Sequence, residues 1–397
     1  MIRARSLVRP LEAAWEPVLD AALAALAVPG GARALGDVAK LGPRIAELSR
    51  AYNAGEAEGR RTKLPLDARL AFSFPRDVPK GAGAVRELVA AGLLALPADR
   101  PLRVLDLGAG LGAMTWGIAR AVAAAGGEGR IEALLVDEDP AVLAAAEAIA
   151  RAARTLETKV PLAVTTRTAP LASFVAKEKA DVVVLGQVLS ELAPGADPEA
   201  RLAEQQALIE RLLATAVLPD GALVVVEPAL RARTRHLHAL RDRLVGAGRT
   251  VFAPCLHQKA CPTLPIEDAW CHEDLGVDLP PWVVPLARAA GLRWQGLTFS
   301  YLVLRPDGAT MDASAAYRFR VVSDLIPSKG KTELFGCTAL GDRVRLRRLD
   351  RDAGKETGAG FETLRRGDVV GLGGDPPVDD RGRLNAQVSI DVGHLRR

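Results

Sequence analysis

Short runs of valine and leucine alternate with longer amphipathic stretches between residues 101 and 305. The apolar runs are 103–107, 131–137, 181–185, 222–227 and 299–305. Continuous apolar runs predict strands buried on both faces, as in a parallel sheet covered by helices. The stretches with apolar residues at helical spacing are 113–125, 140–156, 198–216 and 234–247. They predict helices between the strands, and residues 292–294 predict one more strand, joined to 299–305 by a short turn.

The pattern changes on both sides of this α/β region. Before it, apolar residues recur at helical spacing in 7–28, 37–52 and 85–96. The stretch 75–83, with its prolines and glycines, predicts a break between these helices. After it, apolar and polar residues alternate in 317–322, 333–338 and 343–349. This alternation predicts a small antiparallel sheet. The predicted domains are an N-terminal helical region (1–95), an α/β domain (96–310) and a β domain (311–397).

Composition allows nucleic-acid binding and predicts no membrane partner. The 397 residues suffice for two or three domains with a large core, and 49% of them are hydrophobic. No apolar run approaches the roughly 18 residues that a membrane span needs. The net charge is +4. Arg343, Arg345 and Arg347 share one face of a predicted strand, where they are either solvated or face phosphate groups.

A glycine-rich loop follows the first predicted strand and opens a helix. It reads Asp106-Leu-Gly108-Ala-Gly110-Leu-Gly112. Glycines let a backbone turn sharply and approach a ligand closely. The spacing also fits a dinucleotide site, but there Asp106 would repel the pyrophosphate, whereas it attracts the cationic end of S-adenosylmethionine. Asp137 ends the second strand, where it suits ribose hydroxyls. The loop therefore predicts a Rossmann-like, class I S-adenosylmethionine-dependent methyltransferase sheet, with a nicotinamide dinucleotide site or an empty loop as alternatives.

Three of the four cysteines lie in a proline-containing segment, residues 252–273, which we call the cysteine loop. They are Cys255, Cys261 and Cys271, and Cys337 follows far downstream. Four thiolates suit a tetrahedral zinc ion or an iron–sulfur cluster. The gaps of five, nine and sixty-five residues match no common zinc pattern and favour a cluster. A role in the core, a disulfide, and histidine ligands at 257 or 272 remain alternatives.

No catalytic residue is identified from the sequence. The segment after 181–185 lacks the Asn/Asp-Pro-Pro-Tyr/Phe signature of enzymes that methylate amino groups. Cys255 follows a proline, as a nucleophile for C5 methylation of pyrimidines would, but it belongs to the four-cysteine set. Glu227 ends a predicted strand and either faces the pocket or caps the next helix.

The motifs together resemble one family over roughly residues 65–340. It comprises the methyltransferase-like assembly factors of the mitochondrial small ribosomal subunit, including methyltransferase-like protein 17, and their bacterial relatives. The motifs are Ala253-Pro-Cys255 with His257, Cys261-Pro262, Trp270-Cys271-His272, the run 299–304, the loop 106–112, the stretch 188–192 and Glu227-Pro228. The sequence departs from the family at 229–232 and at Glu273-Asp274.

The resemblance implies an S-adenosylmethionine pocket and a 4Fe–4S cluster held by Cys255, Cys261, Cys271 and Cys337. It also implies binding to small-subunit ribosomal RNA during ribosome assembly or translation. It leaves methyl transfer open, because the fold can serve as a binding platform. The alternatives are an active RNA methyltransferase and a small-molecule methyltransferase with a zinc-bound loop.

The start of the chain has no apolar core of a secretory signal, so a reducing compartment is expected. We expect the bacterial cytoplasm. The mitochondrial matrix is the alternative, because the first ten residues are rich in arginine and free of acids, as in a short mitochondrial presequence. A reducing compartment favours a metal over a disulfide at the cysteines.

Overall fold

The computed structural model describes residues 7–53, 64–192, 196–311, 317–352, 360–374, 377–384 and 388–392. Its α-helices are α1 (Trp15–Leu26), α2 (Val38–Asn53), α3 (Leu66–Ala68), α4 (Phe74–Ala90), α5 (Ala113–Ala125), α6 (Pro140–Ala152), α7 (Pro198–Thr215), α8 (Arg231–Gly246) and α9 (Val284–Ala289). A π-helical turn, Arg69–Ser73, joins α3 to α4. Within these described segments, no helix has both the length and the apolar character needed to cross a membrane.

The larger sheet is mostly parallel. Its strands are β1 (Leu102–Leu107), β2 (Ile131–Asp137), β3 (Leu162–Thr168), β4 (Ala180–Gly186), β5 (Val217–Glu227), β6 (Val251–Ala253), β7 (Glu273–Leu275) and β8 (Leu297–Leu304). Their order is β3-β2-β1-β4-β5-β8-β6, and β7 also pairs with β8. Strands β1 to β5 run parallel, and β8 runs antiparallel to β5. The strand order reverses between β1 and β4, which places a ligand crevice at their carboxyl ends. The predicted α/β fold class is confirmed.

Two predictions about this sheet were wrong. Residues 292–294 form no strand, and the partner of β8 at the sheet edge is β6, which lies before the cysteine loop. The final strand pair is therefore joined by a long insertion rather than by a short turn. Strand β3 was not predicted, because it lies at the other edge, where most of its residues are partly or fully exposed.

Helix α4 runs through the stretch that was predicted to break a helix. Pro75 lies in its first turn, where proline is tolerated because the backbone N–H there has no helical partner. The glycines of this stretch serve close packing against α5. A Cβ at Gly81 would overlap the backbone of Met114, and one at Gly117 of α5 would overlap the carbonyl oxygen of Val78. The break prediction was wrong because these glycines allow two helices to touch through their backbones.

This contact gives a stability prediction. Replacing Gly117 with alanine should destabilise the protein by about 2 kcal/mol or more, because the overlap with Val78 outweighs the gain in helix propensity. Gly246 of α8 is the matched control, since no atom lies within 4 Å of a Cβ placed there. Gly246→Ala should stay within about 1 kcal/mol of the wild type, on the stabilising side. Urea unfolding measures both, and equal midpoints for the two variants would contradict the packing account.

The second sheet is antiparallel, as predicted. Its strands are β9 (Arg318–Val321), β10 (Ile326–Ser328), β11 (Lys331–Thr338), β12 (Arg343–Leu349), β13 (Val369–Gly373) and β14 (Ser389–Val392). Their order is β10-β11-β9-β13-β14, with β12 paired to β11. The sheet has its own core, which includes Phe319, Leu334, Leu346 and Phe361. The predicted domain boundaries at 95 and 310 stay predictions, and residues 312–316 lie outside the described residues.

Candidate functional site

The glycine loop, residues 106–112, lies at the carboxyl end of β1, next to the point where the strand order reverses. Gly108, Gly110 and Gly112 have positive φ angles of 69°, 54° and 79°, which favour glycine. A Cβ at Gly108 would lie 2.5 Å from the Cγ2 atom of Val188, which follows β4. The loop is therefore built for close approach of neighbouring groups to its backbone.

Asp106 carries a buried carboxyl group beneath this loop. Its side chain accepts a hydrogen bond from Thr115 Oγ1 at 2.8 Å, and the residue is 1% exposed. Its other oxygen, Oδ1, has no hydrogen-bond partner among the described residues. Burial raises the pKa of Asp106 to about 7, against the opposing effect of Thr115. A cationic ligand group beside Oδ1 would stabilise the ionised form.

Asp137 braces the glycine loop. One of its oxygens accepts a hydrogen bond from the N–H of Gly110 at 2.9 Å, and the other accepts one from the N–H of Asp139 at 3.0 Å. A carboxylate oxygen has two lone pairs, so a ribose hydroxyl could still donate to it. The predicted ribose contact stays a prediction, and the bracing contact was not foreseen.

A cavity of about 310 Å³ opens beside the carboxyl ends of β4 and β5, and we call it the basic pocket. Its cationic lining residues are Arg76, Lys80, Arg233 and Arg293. None of the described lining residues is acidic. Gln187 also lines the pocket and directly precedes Val188, which contacts Gly108. The pocket therefore adjoins the glycine loop.

Asp77 of α4 holds three groups of the basic pocket in place. Its carboxylate accepts hydrogen bonds from Arg76 Nε at 3.0 Å and Gln187 Nε2 at 3.0 Å, and it pairs with Lys80 Nζ at 2.8 Å. Burial alone would raise the pKa of Asp77, but the charges of Arg76 and Lys80 outweigh it and lower the pKa well below its usual range. Sequence reasoning missed Asp77, because its partner Gln187 is 110 residues away.

Glu227 lies at the end of β5 and holds a backbone turn. Its Oε1 atom accepts a hydrogen bond from the N–H of Leu189 at 2.9 Å. Burial raises the pKa of Glu227 to about 7, and Oε2 has no partner among the described residues. Of the two predicted roles, neither describes this contact, since the carboxylate caps the turn that follows β4 rather than the helix after β5.

The structure brings the four cysteines into one neighbourhood, three from the cysteine loop and one from the second sheet. Cys255, Cys261 and Cys271 lie in the cysteine loop, and Cys337 lies on β11. After burial, the charges of Cys337 and Cys255 are the next causes that raise the pKa of Cys271, followed by those of Glu273 and Cys261. Burial raises the pKa of Cys337 to about 12, and Cys255 and Cys261 add to it. Without a cation, burial therefore favours the neutral thiol at Cys271 and Cys337.

Burial raises the pKa of Cys261, and hydrogen bonds from the backbone N–H groups of Thr263 and Leu264 to its sulfur oppose this shift. His257 Nε2 lies 3.5 Å from Cys337 Sγ. In the part of the chain that the structure describes, no group of three or more His, Cys, Asp or Glu side chains is placed to hold a metal ion. A cluster of several metal atoms is wider than one ion, so its ligands stand further apart. The four-thiol donor set fits such a group, in which Cys255, Cys261, Cys271 and Cys337 would be the ligands.

Helix α8 fastens the cysteine loop to the larger sheet. Arg235 donates to the carbonyl oxygens of Leu264, Ile266 and Ala269, and the carboxylate of Asp242 accepts from the N–H of Cys261 at 2.9 Å. Sequence reasoning missed these anchors. The sequence feature that could have indicated them is the high content of arginine and histidine in α8.

A buried ion-pair network joins α4, β7 and β8 to the second sheet. Arg320 of β9 contacts Glu87 at 3.1 Å and Glu273 at 3.3 Å, and Arg86 contacts both carboxylates. Tyr301 donates to Glu87 at 3.1 Å. Arg320 also donates to the carbonyl oxygen before Cys255, so the network borders the cysteine loop. Glu273, a departure from the family pattern, is thus a buried structural partner.

The reversed strand order, the antiparallel β8 and the glycine loop define a methyltransferase-like protein of class I. The chain matches the family described as mitochondrial small ribosomal subunit Rsm22 over residues 77–366. It belongs to that family, and the predicted family resemblance is confirmed. No curated protein sequence matches the chain significantly.

Solved methyltransferases show weak likeness to the chain. One from Agrobacterium tumefaciens is 15% identical, with a TM-score of 0.32, 58% of this chain covered and 62% of that one. The magnesium protoporphyrin IX methyltransferase of Synechocystis is 17% identical, with a TM-score of 0.32 and coverages of 58% and 86%. The N-methyltransferase NodS of Bradyrhizobium japonicum is 14% identical, with a TM-score of 0.32 and coverages of 59% and 98%. Such low TM-scores bear on neither ligand nor substrate.

Proposed function

We propose that this protein binds the small ribosomal subunit through its ribosomal RNA and acts in ribosome assembly or translation. Membership of the Rsm22 family over residues 77–366 is the observation that carries this proposal. The net charge of +4 is compatible with a phosphate-rich partner. The proposed compartment is the one where small subunits are assembled, either the bacterial cytoplasm or the mitochondrial matrix.

The glycine loop is the proposed S-adenosylmethionine site. Gly108, Gly110 and Gly112 would let the ligand approach the backbone, Asp106 would face its cationic end, and Asp137 would accept from its ribose. The unpartnered Oδ1 atom of Asp106 supports this assignment. When bound, the ligand supplies an electrophilic methyl group. The chain's own part is to orient that group toward the basic pocket.

This assignment predicts a pH dependence. Burial raises the pKa of Asp106 to about 7 in the free protein, so the carboxyl group is protonated at lower pH. A cationic ligand that binds there must displace the Asp106 proton. The affinity for S-adenosylmethionine should rise by about tenfold between pH 5.5 and pH 7 and then level off. Asp106→Asn should bind more weakly and show no such rise. Isothermal titration calorimetry measures both proteins, and equal pH profiles would refute the role of Asp106.

The four cysteines are the proposed ligands of a 4Fe–4S cluster, with zinc as the alternative. Their gathering from the cysteine loop and β11, and the N–H donors that oppose the raised pKa of Cys261, support a thiolate-bound metal group. Such a group would lock the cysteine loop to β11, because binding energy at a shared site becomes folding energy. Iron, sulfide and zinc analysis of protein purified without oxygen separates the two metals, with about four iron or about one zinc per chain.

Active RNA methylation is the second candidate function. The basic pocket favours it, because it adjoins the glycine loop and has room for an acceptor group. No described residue is assigned as a catalytic base. Transfer of a labelled methyl group to small-subunit ribosomal RNA decides between an enzyme and a binding platform. A platform predicts bound S-adenosylmethionine with no labelled RNA.

A further inference from the structure

The basic pocket presents positive charge to whatever enters it. Four cationic side chains line it, and none of its described lining residues is acidic. Asp77 is buried and shared between Arg76 and Lys80, so it offsets only one of their two charges, and Asp274 lies 3.8 Å from Arg293. One charge of the Arg76–Lys80 pair and that of Arg233 remain for a ligand. Arg233 donates a hydrogen bond to the carbonyl oxygen of Tyr52. This acceptor is neutral, so it does not offset the positive charge of Arg233. An anion is therefore the ligand that this charge arrangement selects.

These cations are held in place before any ligand arrives. Asp77 fixes Arg76, Lys80 and Gln187 by contacts of 2.8 to 3.0 Å. Gln187 has a φ of 62°, a conformation that costs energy in a residue other than glycine and that is found most often at functional sites. Preorganised donors lose little entropy on binding, which strengthens the recognition of an anion.

The remaining wall of the pocket is apolar and aromatic. Tyr52 and Phe72 line it, together with Leu230, Leu292 and Leu297. The guanidinium of Arg76 lies 5.3 Å from the centre of the buried Phe72 ring, so the ring supports an arginine plane at the pocket wall. Aromatic rings and arginine planes are the surfaces on which nucleic-acid bases stack. A ligand that combines an anion with a flat ring fits both walls.

We propose that the basic pocket binds a phosphorylated nucleotide. Its phosphate contacts Arg76, Lys80 and Arg233, and its base packs against Tyr52 and the exposed side chain of Leu230. The nucleotide comes either from solution or from an RNA chain, and the phosphate chemistry is the same. The proposal rests on the proposed function, in which the glycine loop next to this pocket holds S-adenosylmethionine.

Binding of uridine monophosphate, uridine and a single-stranded RNA pentamer to the full chain tests the proposal by calorimetry. Arg233→Gln is the test variant, because Arg233 is half-buried in the first turn of α8 and its replacement leaves the Asp77 contacts intact. Arg231→Gln is the matched control. Arg231 lies in the same turn, pairs with Asp268, and does not line the pocket.

We expect uridine monophosphate to bind at least tenfold more tightly than uridine, since a charged hydrogen bond is worth about that much. Arg233→Gln should weaken the monophosphate about tenfold, and Arg231→Gln less than twofold. Tighter binding of the pentamer than of the monophosphate identifies an RNA chain as the source, and equal binding identifies a free nucleotide.

Equal binding of uridine and its monophosphate, or equal effects of the two variants, overturns the proposal. It is also overturned if Arg76→Gln weakens S-adenosylmethionine but not the monophosphate, because the pocket then serves the amino-acid end of that ligand. S-adenosylmethionine binding and co-sedimentation with ribosomal subunits are measured separately. Loss of nucleotide binding while both persist therefore refutes this proposal alone.

Discussion

Replacing Cys337 with serine is expected to abolish the proposed 4Fe–4S cluster and to loosen the contact between the two sheets. Cys337 lies on β11 of the second sheet, whereas its three proposed partners lie in the loop that follows β6. A metal group held by all four would bridge the sheets, and its binding energy would stabilise their contact. Iron content should fall from about four per chain to nearly none. Limited proteolysis of the folded protein should become at least about tenfold faster.

Thr338→Ser is the control for this experiment. Thr338 is the next residue of β11, so its side chain points to the opposite face of the strand, and serine keeps the hydroxyl that accepts from the N–H of Asp342. This variant should retain both iron and protease resistance. A Cys337→Ser protein that keeps its full iron content and its resistance would exclude the four-cysteine assignment.

Replacing Arg320 with methionine is expected to destabilise the protein by about 3–5 kcal/mol. Its side chain is 3% exposed and lies between Glu87 and Glu273, which are equally buried. Methionine would leave these two carboxylates with Arg86 as their remaining cation in the network. It would also leave the carbonyl oxygen of Gly367 without the guanidinium that now donates to it at 2.9 Å. Buried charges without partners are costly, which is why the expected effect is large.

Arg130→Met serves as the comparison for the Arg320 variant. Arg130 pairs with Glu132 on the surface, where the side chains are 62% and 49% exposed. Exposed pairs contribute roughly 0–1 kcal/mol, so this variant should unfold at nearly the wild-type urea concentration. If Arg320→Met also unfolds there, the network does not hold the second sheet against the first.

The central strands were predictable because strands buried on both faces consist of uninterrupted apolar residues. Every residue from Val182 to Leu185 of β4 is fully buried, and the same holds from Leu223 to Val226 of β5. Such strands are apolar without interruption, so the sequence shows them directly. Strand β3 pairs only on one side, and its threonines resemble loop residues. Its place at the sheet edge is settled by pairing with β2, which the sequence does not display.

The continuous helix α4 could not be predicted from local sequence. Gly81 and Gly83 of α4 are helix-breaking residues by propensity, yet the helix continues through them, because α5 and β8 occupy the space that side chains would need. Tertiary contact overrides propensity at these positions. The local sequence does not indicate these tertiary contacts, since the contacting residues are more than 30 positions away.

The candidate site divides in the same way. The glycine loop and Asp106 are consecutive in sequence, so their motif predicted their location at the end of β1. Asp77 and Arg320 act through partners 110 and 233 residues away. Each reads locally as an ordinary surface charge. The cysteines differ from these long-range partners, because three of the four lie in one loop and a rare residue type gathered in this way predicts a shared ligand before the fold is known. That shared ligand stays a prediction.

Co-sedimentation of the anaerobically purified protein with separated ribosomal subunits tests the central claim most directly. We expect the protein to migrate with the small subunit and not with the large one. Added salt should weaken the complex, because phosphate contacts release counterions. Protein that binds neither subunit at low salt, or both equally, while retaining its iron and its S-adenosylmethionine affinity, would contradict the ribosomal function.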